Sequence, residues 1–259
     1  MPIRLTMGGL FHHWRHSRRC YLICGIARSG SNLLSDGLRD TGRAGRPNQF
    51  FLPSSEPQFR AAHSFDENVG FANYVRGIVE NTVTSNEVFG FKLMAWYLDA
   101  FLKRLRETGE FGGPGASDLE MLTAAFPGLR FLRITRRDKL RQAISKARAV
   151  QTGLWKVQEG KSEVAEPEYD RALIAQSMLE SKAEEDTWNA FFLRLGERPF
   201  QVEYERLCED FEGTVSAVLD FLEIRLPRRI KIRPPVTTRQ SDALSDEWVR
   251  RYRAEEGLR

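Results

Sequence analysis

The stretch Tyr21-Leu-Ile-Cys-Gly-Ile-Ala-Arg-Ser-Gly-Ser-Asn32 decides the fold of this chain of 259 residues. Its first half, Tyr21 to Ile26, is an almost wholly apolar run, which is typical of a strand buried on both faces of a parallel sheet. A loop of small and polar residues follows, from Arg28 to Asn32. Leucines then recur at helical spacing until Gly42, which is a helix stop signal. The pattern predicts a strand, a tight loop and a helix.

The same alternation continues along the chain. Further strands are predicted at Val88–Leu93, Leu129–Thr135 and Phe200–Tyr204. Helices are predicted from Leu98 to Gly109, Lys139 to Trp155, Arg171 to Leu195, Leu207 to Leu222 and around Trp248, with loops at Phe111–Gly115, at 156–170 and near Pro234. Strands separated by helices predict a parallel sheet with right-handed crossovers, and a ligand site at the carboxyl ends of the strands.

Composition limits the class of protein. Hydrophobic residues make up 41% and charged residues 29%, which is ordinary for a folded enzyme. The formal charge of +4 suits an anionic ligand, although a generic basic surface would give the same number, and no motif indicates nucleic-acid binding. We predict a basic, poorly ordered leader over residues 1–20 and a single domain over 21–259.

Cysteine content and hydropathy indicate the compartment. The three cysteines, Cys20, Cys24 and Cys208, are odd in number and lack the paired spacing of a zinc site. No run approaches the roughly 20 apolar residues of a membrane helix, and the N-terminus is not a secretory signal. We therefore expect a cytoplasmic protein without a membrane span, and a buried thiol at Cys24.

The first loop carries the chemistry. Gly25 to Asn32 has the spacing of the phosphate-binding motif G-x-x-x-x-G-K-[ST], but Ser31 stands at the lysine position and Asn32 at the magnesium-binding hydroxyl position. Backbone N–H groups and the helix N-terminus would attract an anion, and Arg28 supplies a cation. Without the lysine and hydroxyl, ATP or GTP hydrolysis is disfavoured, which leaves a metal-free cradle for a phosphate-like group. The alternative is a tight turn with a solvated arginine.

A second pair of residues is placed to join this loop. Arg136 lies where the third strand ends, and Ser145 lies on the polar side of the helix that follows. An arginine fork with a hydroxyl suits a second phosphate. A solvated helix face beside a strand-end arginine remains the other interpretation.

These motifs together resemble a known family. The segment YLICGIARSGSNLLSDGLRDTGRAGRPNQFF, residues 21–51, is similar to the start of the Stf0-type (trehalose 2-sulfotransferase-like) sulfotransferases. Further similar stretches follow in the family's order and span nearly the whole chain: Gly90–Met94, Ile134–Asp138, Arg148–Trp155 and Ser245–Arg253. The resemblance implies an α/β, three-layer P-loop-type fold with a central, mostly parallel sheet flanked by helices.

The resemblance also implies site residues. The donor would be PAPS (3′-phosphoadenosine-5′-phosphosulfate), leaving PAP as product, with no metal. Its 5′-phosphosulfate would meet the loop formed by Arg28, Ser29, Gly30, Ser31 and Asn32. Its 3′-phosphate would meet Arg136 and Ser145. Lys92 lies in a G-x-K-L-M segment, where its cation would face the donor or the acceptor. We group Arg28, Gln49 and Lys92 as catalytic. The family further implies a cytoplasmic enzyme that is often a homodimer.

One segment departs from the family pattern. Where the family reads G-E-P-Q-E-F-F, with the second Glu as proposed general base, this chain reads Gly45-Arg-Pro-Asn-Gln-Phe-Phe51. Neither Arg46 nor Gln49 is a carboxylate base. We assign Arg46, Asn48, Gln49 and Phe50 to the acceptor site, and Gln49 to orienting the acceptor hydroxyl. Glu56 and Asp66 are candidate replacement bases.

The predicted function is sulfuryl transfer from PAPS to a hydroxyl of a carbohydrate, glycolipid or other small acceptor. Three alternatives remain: a protein that binds PAP or PAPS without transferring sulfate, a P-loop nucleotide kinase or NTPase, and, more distantly, a nucleic-acid-binding module.

Overall fold

A parallel sheet forms the centre of the molecule. The computed structural model describes residues 18–66, 68–155, 166–234 and 243–257. The described strands pair in the order β2-β1-β3-β4, and every pairing is parallel. Their bounds are β1 Arg19–Gly25, β2 Val88–Met94, β3 Arg130–Thr135 and β4 Phe200–Glu203. The predicted mostly parallel sheet is therefore confirmed.

Helices flank the sheet and connect its strands. In chain order they are α1 Ser31–Asp40, α2 Glu56–Ala62, α3 Phe71–Thr82, α4 Leu98–Glu107, α5 Asp118–Ala125, α6 Lys139–Thr152, α7 Arg171–Leu195, α8 Tyr204–Glu209, α9 Phe211–Phe221 and α10 Ala243–Glu255, with a short 3₁₀ turn at Ala95–Tyr97. No helix in the described part of the chain combines the length and the apolar character that crossing a membrane requires.

Two hydrophobic cores lie on opposite faces of the sheet. Along β1, Leu22 and Cys24 contribute to one core, whereas Tyr21 and Ile23 contribute to the other. Side chains of a strand alternate between faces, so a strand apolar at every position must be covered on both sides. This explains the uninterrupted apolar run and confirms the three-layer fold. Cys24 is fully buried as a free thiol, as expected, and burial raises its pKa well above the ordinary value.

Two predicted helices have different bounds. The helix predicted for Lys139–Trp155 ends at Thr152, because Gly153 takes a left-handed φ of 69° that terminates it. The prediction of one helix over Leu207–Leu222 is wrong, because two helices, α8 and α9, meet at Asp210. That residue has a non-helical φ of −133°, and its carboxylate accepts the N–H of Gly213 at 2.9 Å, which caps α9.

Three short helices, α2, α3 and α5, were not predicted from the sequence. The start of α5 could have been predicted, because Ser117 and Glu120 form a reciprocal capping box at its N-terminus. In the predicted leader, Arg19 and Cys20 belong to β1, and residues 1–17 lie outside the described residues. Most of the predicted mobile loop, residues 156–165, also lies outside them.

Candidate functional site

The loop after β1 has an unusual backbone. Arg28 has a left-handed φ of 59° and Gly30 one of 92°. A side chain at Gly30 would also be blocked, since a Cβ there would lie 2.4 Å from Cδ2 of Tyr204. The hydroxyl of Ser29 donates to the carbonyl of Ile26 at 2.8 Å, as does its N–H at 3.3 Å. Ser29 therefore braces the loop internally, and the loop is held in one tight conformation.

Helix α1 begins directly after this loop without a side-chain cap. Its N-cap residue is Gly30, and within the described residues no side-chain hydrogen bond caps this end of the helix. Such N–H groups carry the positive end of the helix dipole and attract anions. Ser31 and Asn32 supply N–H groups at this end, which makes the loop and helix a suitable cradle for a phosphate or sulfate group.

Arg28 reaches from the loop to the end of α6. Its Nε donates to Oγ of Ser145 at 2.8 Å, and its Nη1 donates to the carbonyl of Trp155 at 2.8 Å. Burial, together with the neighbouring charge of Arg136, lowers the pKa of Arg28 to about 10. Two neighbouring guanidinium groups repel each other, and a phosphate bound between them would offset that repulsion.

Arg136 lies on the other side of the same loop. Its Nη1 donates to the carbonyl of Arg28 at 3.4 Å, and its guanidinium lies 4.6 Å from the ring centre of Tyr204. Its Nε is buried and has no hydrogen-bond partner among the described residues. A buried unpaired donor on a cation is costly unless a ligand satisfies it. The structure thus brings Arg28, Arg136 and Ser145 together.

Lys92 enters the site from β2. Its side chain is almost fully buried, with 3% of the residue exposed, and its Nζ contacts Oδ1 of Asn32 at 2.5 Å. The parallel register of β1 and β2 pairs Lys92 with Ile23, which packs in the same core as Leu34 and Leu38 of α1. Asn32 therefore replaces a hydroxyl residue with an amide that holds the lysine ammonium beside the start of α1.

One cavity of about 970 Å³ joins these residues at the carboxyl end of the sheet. Among the residues predicted for the site, it is lined by Arg28, Gly30, Ser31, Asn32, Gln49, Lys92, Arg136 and Ser145. Its size is that of a site for a drug-sized ligand or larger. The location agrees with the rule that open α/β sheets bind ligands beyond the carboxyl ends of their strands.

Three of the predicted acceptor residues do not line this cavity. Arg46 is exposed on the surface. Asn48 is also exposed, and its Oδ1 accepts the N–H of Gln49 at 2.8 Å. Phe50 is buried in the core, where it packs against Phe59 and Phe89. Gln49 does line the cavity, and its Oε1 lies 3.5 Å from the hydroxyl of Tyr97.

The two candidate replacement bases also lie away from the cavity walls. Glu56 is buried and accepts hydrogen bonds from Arg60 and Arg104. Burial alone would raise its pKa, but these hydrogen bonds outweigh burial and hold the pKa of Glu56 below the ordinary value. Asp66 caps the N–H of Asn68 in an exposed turn. The carboxylates that do line the cavity are Asp36, Glu180 and Glu184.

Several cavity residues were missed from the sequence. Tyr204 follows β4, so the same strand-end rule that singled out Arg136 would have found it. Lys146, Glu180 and Glu184 come from α6 and α7, and Trp96 comes from the 3₁₀ turn; the local pattern gave no signal for them. Within the described ranges, no group of three or more His, Cys, Asp or Glu side chains is placed to hold a metal ion.

The chain is similar to proteins of known activity. The family model described as Stf0 sulphotransferase matches residues 20–255. The trehalose 2-sulfotransferase of Mycolicibacterium smegmatis is 33% identical, with the match covering 90% of this chain and 94% of that protein. The trehalose 2-sulfotransferase of Mycobacterium tuberculosis is 32% identical, with coverage of 92% and 95%.

Solved structures resemble the chain more distantly. A sulfotransferase from Alicyclobacillus acidocaldarius has a TM-score of 0.48 at 14% identity, covering 94% of this chain and 98% of that chain. The sulfotransferase domain from the curacin biosynthetic pathway has a TM-score of 0.47 at 13% identity, with coverage of 95% and 99%.

Proposed function

Since the chain belongs to the Stf0 sulphotransferase family, we propose that it transfers a sulfuryl group from PAPS to a hydroxyl of a carbohydrate acceptor. The relatives at 32–33% identity are named for trehalose, which makes trehalose the first acceptor to test and keeps glycolipids and other small hydroxyl compounds as further ones. A cytoplasmic location and a homodimer stay predictions, which cell fractionation and sedimentation would test.

One observation supports the donor above all others. The uncapped N-terminus of α1, Arg28 and Arg136 converge on one cavity, and the buried Nε of Arg136 lacks a partner in the described chain. A nucleotide with two separated phosphate groups fits this arrangement, because one group would meet the loop of residues 28–32 and the other would meet Arg136 and Ser145. The hydrogen bond from Nε of Arg28 to Oγ of Ser145, at 2.8 Å, would keep the two anion sites adjacent.

The transfer would proceed by in-line displacement. The acceptor oxygen forms a bond to sulfur as the bond between sulfur and the bridging phosphate oxygen breaks, and PAP leaves with the added negative charge. Arg28, Lys92 and the N–H groups of α1 would stabilise that charge. Alignment of the two reactants in the cavity would supply much of the rate, since orientation is worth about 7–11 kcal/mol in favourable cases.

The acceptor hydroxyl must also lose its proton during the transfer. Gln49 lines the cavity and would orient the acceptor hydroxyl through its amide, but it cannot take the proton. The proton can instead pass to water at the open mouth of the cavity. Loss of a general base lowers the rate of transfer by about 10²–10⁴ and does not abolish turnover. We therefore expect slow catalysis compared with a relative that has a carboxylate at the position of Gln49.

The decisive experiment combines binding and transfer. Calorimetry should detect PAP binding to the purified protein in the presence of EDTA, and ³⁵S-labelled PAPS should label trehalose or another hydroxyl compound in a panel of sugars, glycolipids and small alcohols. Arg28→Ala should weaken PAP binding and cut labelling by about 10²–10³ while the protein stays folded by circular dichroism. Absence of PAP and PAPS binding to the folded wild-type protein would reject the donor assignment.

A non-catalytic PAP- or PAPS-binding protein is the second candidate. It is favoured by the absence of a carboxylate at Arg46 and Gln49, and by the placement of Glu56 and Asp66 outside the cavity walls. This candidate predicts PAP binding without labelling of any acceptor in the panel, so the same experiment separates it from the enzyme.

A further inference from the structure

Trp96 is the most exposed tryptophan in the described chain. Its exposed fraction is 62%, whereas Trp188 and Trp248 are buried at 0% and 2%. Trp96 lies in the 3₁₀ turn and lines the same cavity as the phosphate-binding loop. A large indole left in water at a cavity wall forgoes the stabilisation that burial would give, and aromatic walls with a few polar groups are typical of ligand sites.

The backbone that presents Trp96 is firmly held. Its neighbours Ala95 and Tyr97 are buried, and the hydroxyl of Tyr97 donates to the carbonyl of Lys92 at 3.0 Å. The ring of Tyr97 meets the indole edge to face, with ring centres 4.9 Å apart. The indole is thus supported on one side by a fixed ring, and it offers its remaining surface to the cavity.

The order of the strands indicates which end of the cavity Trp96 serves. The loop after β1 lies in the middle, between β2 and β3. Arg136 and Ser145, which we assign to the 3′-phosphate, follow β3. Trp96 follows β2, two residues beyond its end and four beyond Lys92, whose ammonium contacts Asn32. A ligand that lies on Trp96 is therefore on the side of the loop opposite to the nucleotide phosphate, where an acceptor must approach.

Helix α7 brings two carboxylates to the cavity. Helix α7 packs against the 3₁₀ turn and contributes Glu180 and Glu184 to the cavity. Both carboxylates contact Nζ of Lys146, at 2.9 and 3.2 Å, so that one cation faces two anions. Arg46, the one cation among the residues assigned to the acceptor site from the sequence, does not line the cavity. The two carboxylates repel an anionic group that lies beside them, and they accept hydrogen bonds from hydroxyl groups.

We propose that Trp96 is the platform on which a neutral saccharide ring stacks, between the 3₁₀ turn and α7, with one hydroxyl directed towards Lys92 and the phosphate-binding loop. The apolar C–H face of the ring packs on the indole, and its hydroxyl groups face the carboxylates of α7. This inference rests on the proposed sulfotransferase function, and it adds the specificity-determining residue and the charge class of the acceptor.

The test separates acceptor binding from donor binding. We would assay three variants, Trp96→Ala, Trp96→Phe and the control Leu193→Ala, with PAPS and one acceptor at a time: trehalose, methyl glucoside or glucuronic acid. The control removes a side chain of α7 that is 86% exposed and does not line the cavity. For the neutral sugars we expect Trp96→Ala to raise KM about tenfold and Trp96→Phe about twofold to threefold, because stacking on an aromatic ring is worth about one factor of ten. The Kd for PAP should stay within about twofold in all three variants, as should the KM for neutral sugars in Leu193→Ala.

Other results would reject the platform, the neutral saccharide or the proposed function. A tenfold loss of PAP affinity in Trp96→Ala means that the indole stacks on the nucleotide base, which rejects the platform. An unchanged KM for neutral sugars rejects it as well. Preference for glucuronic acid over the neutral sugars, or labelling of none of the neutral sugars by a protein that binds PAP, rejects the neutral saccharide. Failure of the wild-type protein to bind PAP rejects the proposed function itself.

Discussion

Arg28 combines three properties that are rarely found in one residue. It has a left-handed backbone, a partly buried guanidinium and a second arginine, Arg136, in hydrogen-bond contact with its carbonyl. Non-glycine residues in this conformation carry a strain of about 1–3 kcal/mol and concentrate at functional sites. Burial and the charge of Arg136 lower the pKa of Arg28 to about 10, and a bound anion would offset both effects.

The pKa of Arg28 predicts a loss of donor binding at high pH. Because the pKa in the folded protein is lowered to about 10, the unbound site loses this positive charge as the pH rises through that value. The affinity for PAP should therefore fall between pH 9 and about pH 11, measured by calorimetry or tryptophan fluorescence. Arg28→Ala should bind weakly already at about pH 8 and should vary less over the same range. An affinity of the wild type that is constant to about pH 11 would contradict this.

Glu56 has a structural role rather than a catalytic one. Its carboxylate contacts Arg60 and Arg104, each at 2.8 Å, and links α2 to α4. Removing one member of such a buried network leaves the partners unsatisfied, so Glu56→Gln should lower the free energy of unfolding by about 3 kcal/mol. The control Glu107→Gln, in an exposed pair with Lys103, should change it by less than about 0.5 kcal/mol.

The stability lost in Glu56→Gln should depend on pH. A carboxyl whose pKa is lowered by folding stabilises the protein above its unfolded pKa, and this stability is lost as the pH falls through the folded value. Urea denaturation curves of wild type and Glu56→Gln should therefore differ at pH 7 and approach each other in acid. If the difference in unfolding free energy between wild type and Glu56→Gln did not change with pH, packing rather than charge would account for the lost stability.

At the scale of elements, the phosphate-binding loop is held by helices that are distant in sequence. Trp188 of α7 donates its indole N–H to the carbonyl of Gly25 at 2.9 Å, and Gln142 of α6 donates to the carbonyl of Ala27 at 2.9 Å. Tyr204, at the start of α8, closes the space above Gly30. The loop conformation is therefore set by the packing of three helices as well as by its own small residues.

Gly30→Ala tests this packing. It combines an unfavourable left-handed φ with a clash against Tyr204, which together should lower the free energy of unfolding by about 2–4 kcal/mol and weaken PAP binding. Gly42→Ala is the matched control, because Gly42 has a φ of 63° with open space around its Cα, and it should lose only about 1 kcal/mol. If urea denaturation gave the same loss of unfolding free energy for Gly30→Ala and Gly42→Ala, the ring of Tyr204 would have moved aside without an energetic penalty.

At the scale of the whole molecule, one cavity draws its walls from all the layers of the fold. Residues from the β1 loop, β2, the turn after β3, α6, α7 and α8 line it. A ligand that bridges so many elements stabilises the folded chain as a unit, because it binds the folded state and not the separate segments.

PAP should therefore raise the melting temperature of the protein. At a free concentration of 100 times Kd, the stabilisation is about 2.7 kcal/mol, which corresponds to a rise of about 5–10 °C for a domain of this size. Differential scanning calorimetry with and without EDTA should give the same rise, because the loop lacks the motif's magnesium-binding hydroxyl. A rise that disappears with EDTA would require a metal in the complex.

The sequence alone determined the strand, loop and helix around residues 21–42, the parallel sheet and the convergence of Arg28, Arg136 and Ser145. These follow from local periodicity and from the rule that parallel strands end at one edge, so nearby residues suffice to predict them. Only the tertiary structure decided that Phe50 belongs to the core, that the carboxylate of Glu56 is paired with Arg60 and Arg104, and that Trp96 lines one cavity together with carboxylates of α7. These facts depend on the packing of segments far apart in the chain, and no local pattern of side chains encodes which distant helix will cover a given strand end.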